Sequence, residues 1–257
     1  MSNSPVILIS NDDGIHAPGI LALINVAVQF GQVWVVAPDS AQSGMGHAIS
    51  VGKPLRIYKE ELPHGLTGYA VSGTPADCVK LGTGVVMPQK PDLILSGINH
   101  GANSSVSTIY SGTLSAAREG AIMGIPAIGF SFLNFSHQAD LETAEFVVKK
   151  VVEMAIKQGM PAGQCLNVNI PDIPLAELKG IKVTRQAMGR WVEEFDERTD
   201  PFGRKYYWLT GQFQLQDKGQ DVDFKALEDG YASLTPMTHD LTHHYQLNEM
   251  ADWNVNF

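Results

Sequence analysis

The chain has little cysteine, a deficit of positive charge and no long apolar run, and each shortage removes a class of function. Its two cysteines, Cys78 and Cys165, stand far apart with no partner spacing for zinc or a redox motif. They read as buried thiols in a reducing compartment. Eighteen Lys and Arg against 27 Asp and Glu give a net charge of -9, which argues against a general grip on nucleic-acid polymers, since that grip relies on many basic contacts to phosphate. A small phosphorylated ligand stays open, because a local metal ion or helix terminus reverses the sign at one site. No apolar run approaches the ~20 residues needed to span a bilayer; the best candidate, residues 20–30, is interrupted by Asn25 and Gln29. The opening MSNSP lacks the basic and apolar regions of a signal peptide. The expectation is a soluble, cytoplasmic protein with no membrane partner. Neither GxGxxG nor GxxxxGK[ST] occurs, which counts against dinucleotide and P-loop nucleotide binding.

What is present is the composition of a globular protein, 44% hydrophobic and 18% charged over 257 residues, long enough to bury a substantial core. Apolar runs at residues 6–10, 32–38, 91–97 and 126–131 read as buried strands, and 166–171 as the last strand of the main sheet. Between them, helical patterns begin at Pro18, at Thr74 as an N-cap before Pro75 and Asp77, at Thr113, and over residues 141–158. Strands alternating with helices predict an α/β fold with a mostly parallel sheet covered on both faces. Two short strand-like pieces lie between residues 55 and 72. Past residue 190 the texture turns charged and aromatic. There YYWLTGQFQ reads as antiparallel strands of an arm, followed by a short helix, a strand at 231–235 and a polar tail.

In an open α/β sheet, ligands bind at the carboxyl ends of the strands, and three polar loops leave that edge. The first strand runs into NDDG, with Asp12 and Asp13 adjacent; the second into PDSAQSGMGHAIS, with Ser40 and Ser43; the third into INHGANSSVSTIYSGT, with Asn99 and Asn103. Alone, NDDG is an ordinary surface turn. Two carboxylates aimed at one point would instead need a cation or a proton between them, and converging oxygen donors suit Mg2+ or Mn2+ rather than zinc or copper. Ser111, Gly112 and Thr113 stand at a helix start, where they serve either as a plain cap or as a phosphate cradle. His16, His47 and His100 lie in these loops as candidate acids or bases, with His47 placed slightly ahead for its flanking glycines. His64, His137, His239, His243 and His244 carry no interpretable spacing.

Taken together, NDDGIHAPGI, VVAPDSAQSGMGHAIS, SGTPADCVKLG, PDLILSGINHG, IYSGTLSAAREGA, PFGRKYYW and GYASLTP, in that order along nearly the whole chain, resemble the SurE family, the survival protein E type of 5'/3'-nucleotidase. The resemblance implies a Rossmann-like catalytic domain over residues 1–185. Residues 186–257 are then a β-hairpin arm and C-terminal segment exchanged between the subunits of a dimer or tetramer. It implies one divalent ion per subunit, Mg2+ or Mn2+, held by Asp12, Asp13, Ser43 and Asn99. Asp12 and Asp13 would be catalytic, with Asn99, Ser111, Gly112 and Thr113 at the substrate phosphate. The implied activity is hydrolysis of nucleoside 5'- and 3'-monophosphates, and in some members of short polyphosphate. Where members carry a glycine and acidic residues before YSGT, this chain has Ser104, Ser105, Val106 and Ser107. A haloacid-dehalogenase-type phosphatase is a rival enzyme, but its D-x-D pattern fails because Asn11 stands two before Asp13. The reading of a different class is a nucleotide-sensing protein without catalysis.

Overall fold

The computed structural model describes residues 4–136, 138–250 and 253, so His137 and most of both chain ends lie outside the described residues. In chain order the elements are β1 (Val6–Ser10), α1 (Pro18–Ala27), β2 (Gln32–Pro38), β3 (Ile57–Leu62), β4 (Leu66–Val71), α2 (Pro75–Leu81) and β5 (Leu93–His100). Then come α3 (Ser107–Tyr110), α4 (Gly112–Ile122), β6 (Ala127–Phe132), α5 (Glu142–Gln158), β7 (Cys165–Ile170) and β8 (Ile181–Val183). The chain closes with β9 (Gly189–Thr199), β10 (Lys205–Leu215), α6 (Asp223–Glu228), β11 (Ala232–Met237) and α7 (His244–Glu249).

Strand order in the main sheet is β3-β4-β2-β1-β5-β6-β7-β11-β8. Every pairing from β4 to β7 is parallel, while β3 on β4 and β11 on β7 are antiparallel. The chain winds outward from β1 through β2 to β4, then returns to the other side of β1 as β5. The sheet therefore reverses its winding between β1 and β5, which is where a crevice opens at the carboxyl ends of the strands.

β1 is buried on both faces, and its pleat divides the core. Ile7 and Ile9 pack with Ile20, Leu23 and Ile24 of α1 and with Val147, Val148 and Val151 of α5. Val6 and Leu8 pack with Cys78 and Val79 of α2 and with Ala116, Ala117 and Ala121 of α4. Both cysteines are free and buried, as expected. Burial pushes the Cys165 thiol up to about 12, which makes it inert.

Two expectations are corrected. β7 is not the last strand of the main sheet, because β11 and β8 extend it; β11 pairs Ser233 with Asn169 of β7 and Ala232 with Ile181 of β8, partners so distant in sequence that no local pattern announces them. The helix expected from Thr113 starts earlier, with Ser111 as N-cap accepting from Leu114 N–H, and the short α3 precedes it. The arm is the β9–β10 hairpin, antiparallel along its whole length. Among the described residues, no helix is long and apolar enough to cross a membrane.

α1 crosses β5 so closely that a Cβ added at Gly19 would lie 1.9 Å from the Ile98 carbonyl oxygen. Gly19→Ala should therefore force the helix off the strand and lower the melting temperature by about 5 °C or more. A thermal melt checks it, and an unchanged midpoint would show that this contact relaxes freely.

Candidate functional site

The segment after β1 closes as a turn, but not as a turn on the surface. Asn11 Nδ2 donates to the Gly14 carbonyl at 2.9 Å, and Gly14 takes φ +103°, so NDDG closes as a turn. Yet Asp12 is only 4% exposed, far from the solvated side chain of an ordinary surface turn.

What buries Asp12 is the start of α4. Thr113 Oγ1 donates to Asp12 Oδ1 at 2.5 Å, and a Cβ at position 112 would fall 2.6 Å from the Asp12 Cβ. Gly112 is a glycine because a carboxylate occupies the space of its side chain. The Ser111 hydroxyl accepts from Leu114 N–H, and the first-turn amide of Gly112 has no partner within the helix. The loop after β2 is stitched to the same place. Gln42 N–H donates to the Asp12 carbonyl at 2.7 Å, and Gly46 N–H donates to the Tyr110 carbonyl at 3.0 Å. Ser43, exposed, follows Gln42 directly.

From β5, His100 Nδ1 lies 3.2 Å from Asp13 Oδ2, both side chains largely buried. Asn99 donates its amide to the carbonyls of Gly101, at 2.8 Å, and His100, at 3.3 Å, which leaves Oδ1 as the atom it offers a ligand. Burial, with the neighbouring charge of Asp13, raises the Asp12 carboxyl from 3.8 to about 6, against the opposing hydrogen bond from Thr113.

Other candidates are placed elsewhere. Ser40 turns to the Asp39 carboxylate at 2.9 Å on the surface. Asn103 is buried in a side-chain network, donating to Ser131 Oγ at 2.8 Å while its backbone bonds Asn167 and Asn169. His16 pairs with Glu60. His47, favoured among the histidines in sequence, sits 2.9 Å from Glu119 Oε2, and it is His100 that touches an aspartate of the pair. A flanking glycine was no guide to which loop histidine the sheet would bring in.

Two tethers had no signal in the sequence. Glu119 of α4, 3% exposed, bonds both His47 and Lys80 Nζ, the latter at 2.6 Å, and so ties the loop of Ser43 to α2 and α4. Asp223 accepts from the backbone N–H of Ser105 at 2.8 Å and of Ala187 at 3.1 Å. That pair anchors the Ser104–Ser107 stretch, where Ser105 takes φ +52°, to the base of the arm.

Comparison with known proteins follows the same geometry. Residues 7–193 match the family profile described as survival protein SurE. The 5'-nucleotidase SurE of Christiangramia forsetii is 54% identical over 98% of both chains, and that of Cytophaga hutchinsonii is 51% identical over 98% of both. The crystal structure of the SurE protein from Aquifex aeolicus aligns with a TM-score of 0.83 at 38% identity, covering 97% of this chain and 99% of that one.

Burial pushes the Glu119 carboxyl up, but hydrogen bonds and charge from His47 and Lys80 outweigh it and hold the group below its ordinary value of 4.5. A depressed carboxyl contributes stability above its unfolded value that is lost as pH falls through the folded one. The melting temperature of the native chain should therefore exceed that of Glu119→Gln at pH 7, and the gap should close below a pH of about 4.5. A gap independent of pH would remove the ionic clamp.

Proposed function

Because the chain belongs to the survival protein SurE family, we propose that it is a nucleotidase that hydrolyses nucleoside 5'-monophosphates to nucleoside and phosphate with a divalent metal ion. Nucleoside 3'-monophosphates and short polyphosphate extend the same reaction. Its curated relatives carry the name 5'-nucleotidase over almost their full lengths. The single observation that carries the reading is the contact between the Asp12 carboxylate and the first turn of α4. It joins a paired-carboxylate site to a helix terminus suited to an anion.

The donor set fits a hard cation. Asp12 and Asp13 supply charge and Ser43 and Asn99 neutral oxygens, while both cysteines are packed in the apolar core. Asp12 is buried beside Asp13, and burial together with that like charge raises its proton affinity. The buried Asn11 Oδ1 accepts no hydrogen bond from the described residues. When bound, Mg2+ or Mn2+ supplies Lewis acidity toward a phosphoryl oxygen and lowers the pKa of an attacking water. The chain does the rest. Thr113 fixes the Asp12 carboxylate, His100 fixes that of Asp13, and one of the two aspartates also orients the water. Ser111 Oγ–H and the Gly112 amide donate to the phosphate as charge builds on it, while Asn99 is held by the Gly101 carbonyl of its own loop.

The protein also self-associates in this reading. The β9–β10 hairpin exposes Phe195, Phe202, Trp208 and Leu209, each more than 60% accessible, and an exposed apolar ribbon of that kind marks a protein interface.

With AMP and Mn2+, a malachite-green assay should register phosphate release that EDTA abolishes. No release across a panel of nucleoside monophosphates would refute the enzyme and favour a nucleotide sensor. Asp13→Asn should cost at least about a hundredfold in turnover with the melting temperature kept. Deleting residues 191–213 should reduce the assembly to monomers by light scattering, and dimers persisting would place the interface elsewhere.

A further inference from the structure

Next to the phosphate end of this site lies a cavity of about 480 Å³, lined by Gly44, Tyr110, Trp191, Leu209, Thr210 and Gly211. Its size is that of a small-molecule pocket. Its walls adjoin the site by the chain itself. Gly44 follows Ser43 and Tyr110 precedes Ser111, and consecutive residues have Cα atoms about 3.8 Å apart. Gly44, at φ +74°, leaves its side of the cavity open, with nothing within 4 Å of where a Cβ would stand. Tyr110 and Trp191 are about half exposed, at 53% and 44%. Trp191 is nonetheless fixed: its ring meets Phe213 edge-on at 5.6 Å, and Phe213 stacks on Phe224 of α6 at 4.9 Å.

We infer that this cavity is the subsite for the nucleobase, with Tyr110 and Trp191 as its stacking residues. The assignment rests on the nucleotidase reading and specifies which part of the substrate goes where. A phosphate at Ser111 and Gly112 leaves the remainder of the molecule to extend along a neighbouring wall, and this is the wall with aromatic faces. The chemistry on offer is mainly stacking: the Thr210 hydroxyl already donates to the Glu194 carbonyl at 2.8 Å, and the remaining polar side-chain groups, the Tyr110 hydroxyl and the Trp191 indole N–H, lie in the plane of the stacking rings. Every base has a π-face, so such a subsite accepts all bases. Part of it belongs to the arm, so the hairpin contributes to the substrate site as well as to any assembly.

The test compares kcat/KM for AMP with kcat/KM for glycerol 2-phosphate, which carries the ester and no base. In Tyr110→Ala and in Trp191→Ala the ratio of the two should fall by about tenfold or more, the scale of one base-aromatic stack. A general disturbance of the site lowers both substrates together and leaves the ratio where it was; a ratio unchanged in both variants overturns the assignment. Should the wild-type chain hydrolyse neither ester, the nucleotidase reading fails separately. The cavity is then judged by adenosine quenching of tryptophan fluorescence, which should be weaker in Trp191→Phe than in wild type. No quenching in either overturns the subsite.

Discussion

A carboxylate buried at the tip of a parallel strand needs partners, and in this protein the rest of the site is arranged around meeting that need for Asp12. Its oxygens take the hydroxyl of Thr113, its main-chain carbonyl takes the amide of Gln42, and its side chain fills the space that Gly112 leaves. Two segments far apart in sequence, the loop after β2 and the start of α4, are thereby locked to one residue. Desolvation of a charge is costly unless it is paired and bonded, so a carboxylate kept in such a place sets the position of everything that touches it. The raised proton affinity of Asp12 is the residue of that cost.

The sheet explains why these segments and not others converge. β1 lies at the reversal of winding, flanked by β2 and β5, so the loops after all three strands open into one crevice. The helices on each face hold the strands at that spacing through the two cores that share β1. Further out, buried ionic and polar contacts secure the loops: Glu119 between His47 and Lys80, and the asparagine network of Asn103, Asn167 and Asn169 behind β5. Loops of this length are mobile unless tied down, and each here is tied by a buried side chain from a helix or strand.

The C-terminal portion is joined to the rest of the chain in two ways. β11 completes the main sheet against β7. Asp223, at the start of α6, receives the amides of Ser105 and Ala187 and so couples the serine-rich loop before α4 to the arm. Burial raises the Asp223 pKa, and the amides of Ser105, Phe224 and Ala187 that it accepts oppose that rise.

The chain alone pointed to strands at 6–10, 32–38, 91–97 and 126–131, which the fold places at 6–10, 32–38, 93–100 and 127–132, to the capped helix at Thr74, to the arm, and to the oxygen-rich loops carrying Asp12, Asp13, Ser40, Ser43, Asn99 and Asn103, because apolar runs and capping residues act locally. It left open whether NDDG was a turn or a site, which histidine stood beside it, and whether Asn103 was a ligand or a strut. Those answers depend on residues that meet across separations of 28 positions, for Asn103 and Ser131, to 101, for Thr113 and Asp12. His100 reaches Asp13 because β5 returns beside β1, Thr113 reaches Asp12 because α4 starts over the crevice, and Trp191 reaches the wall beside Tyr110 because Phe213 and Phe224 hold the hairpin there. Periodicity reports which face of an element is apolar; only the packed sheet decides which loop faces which.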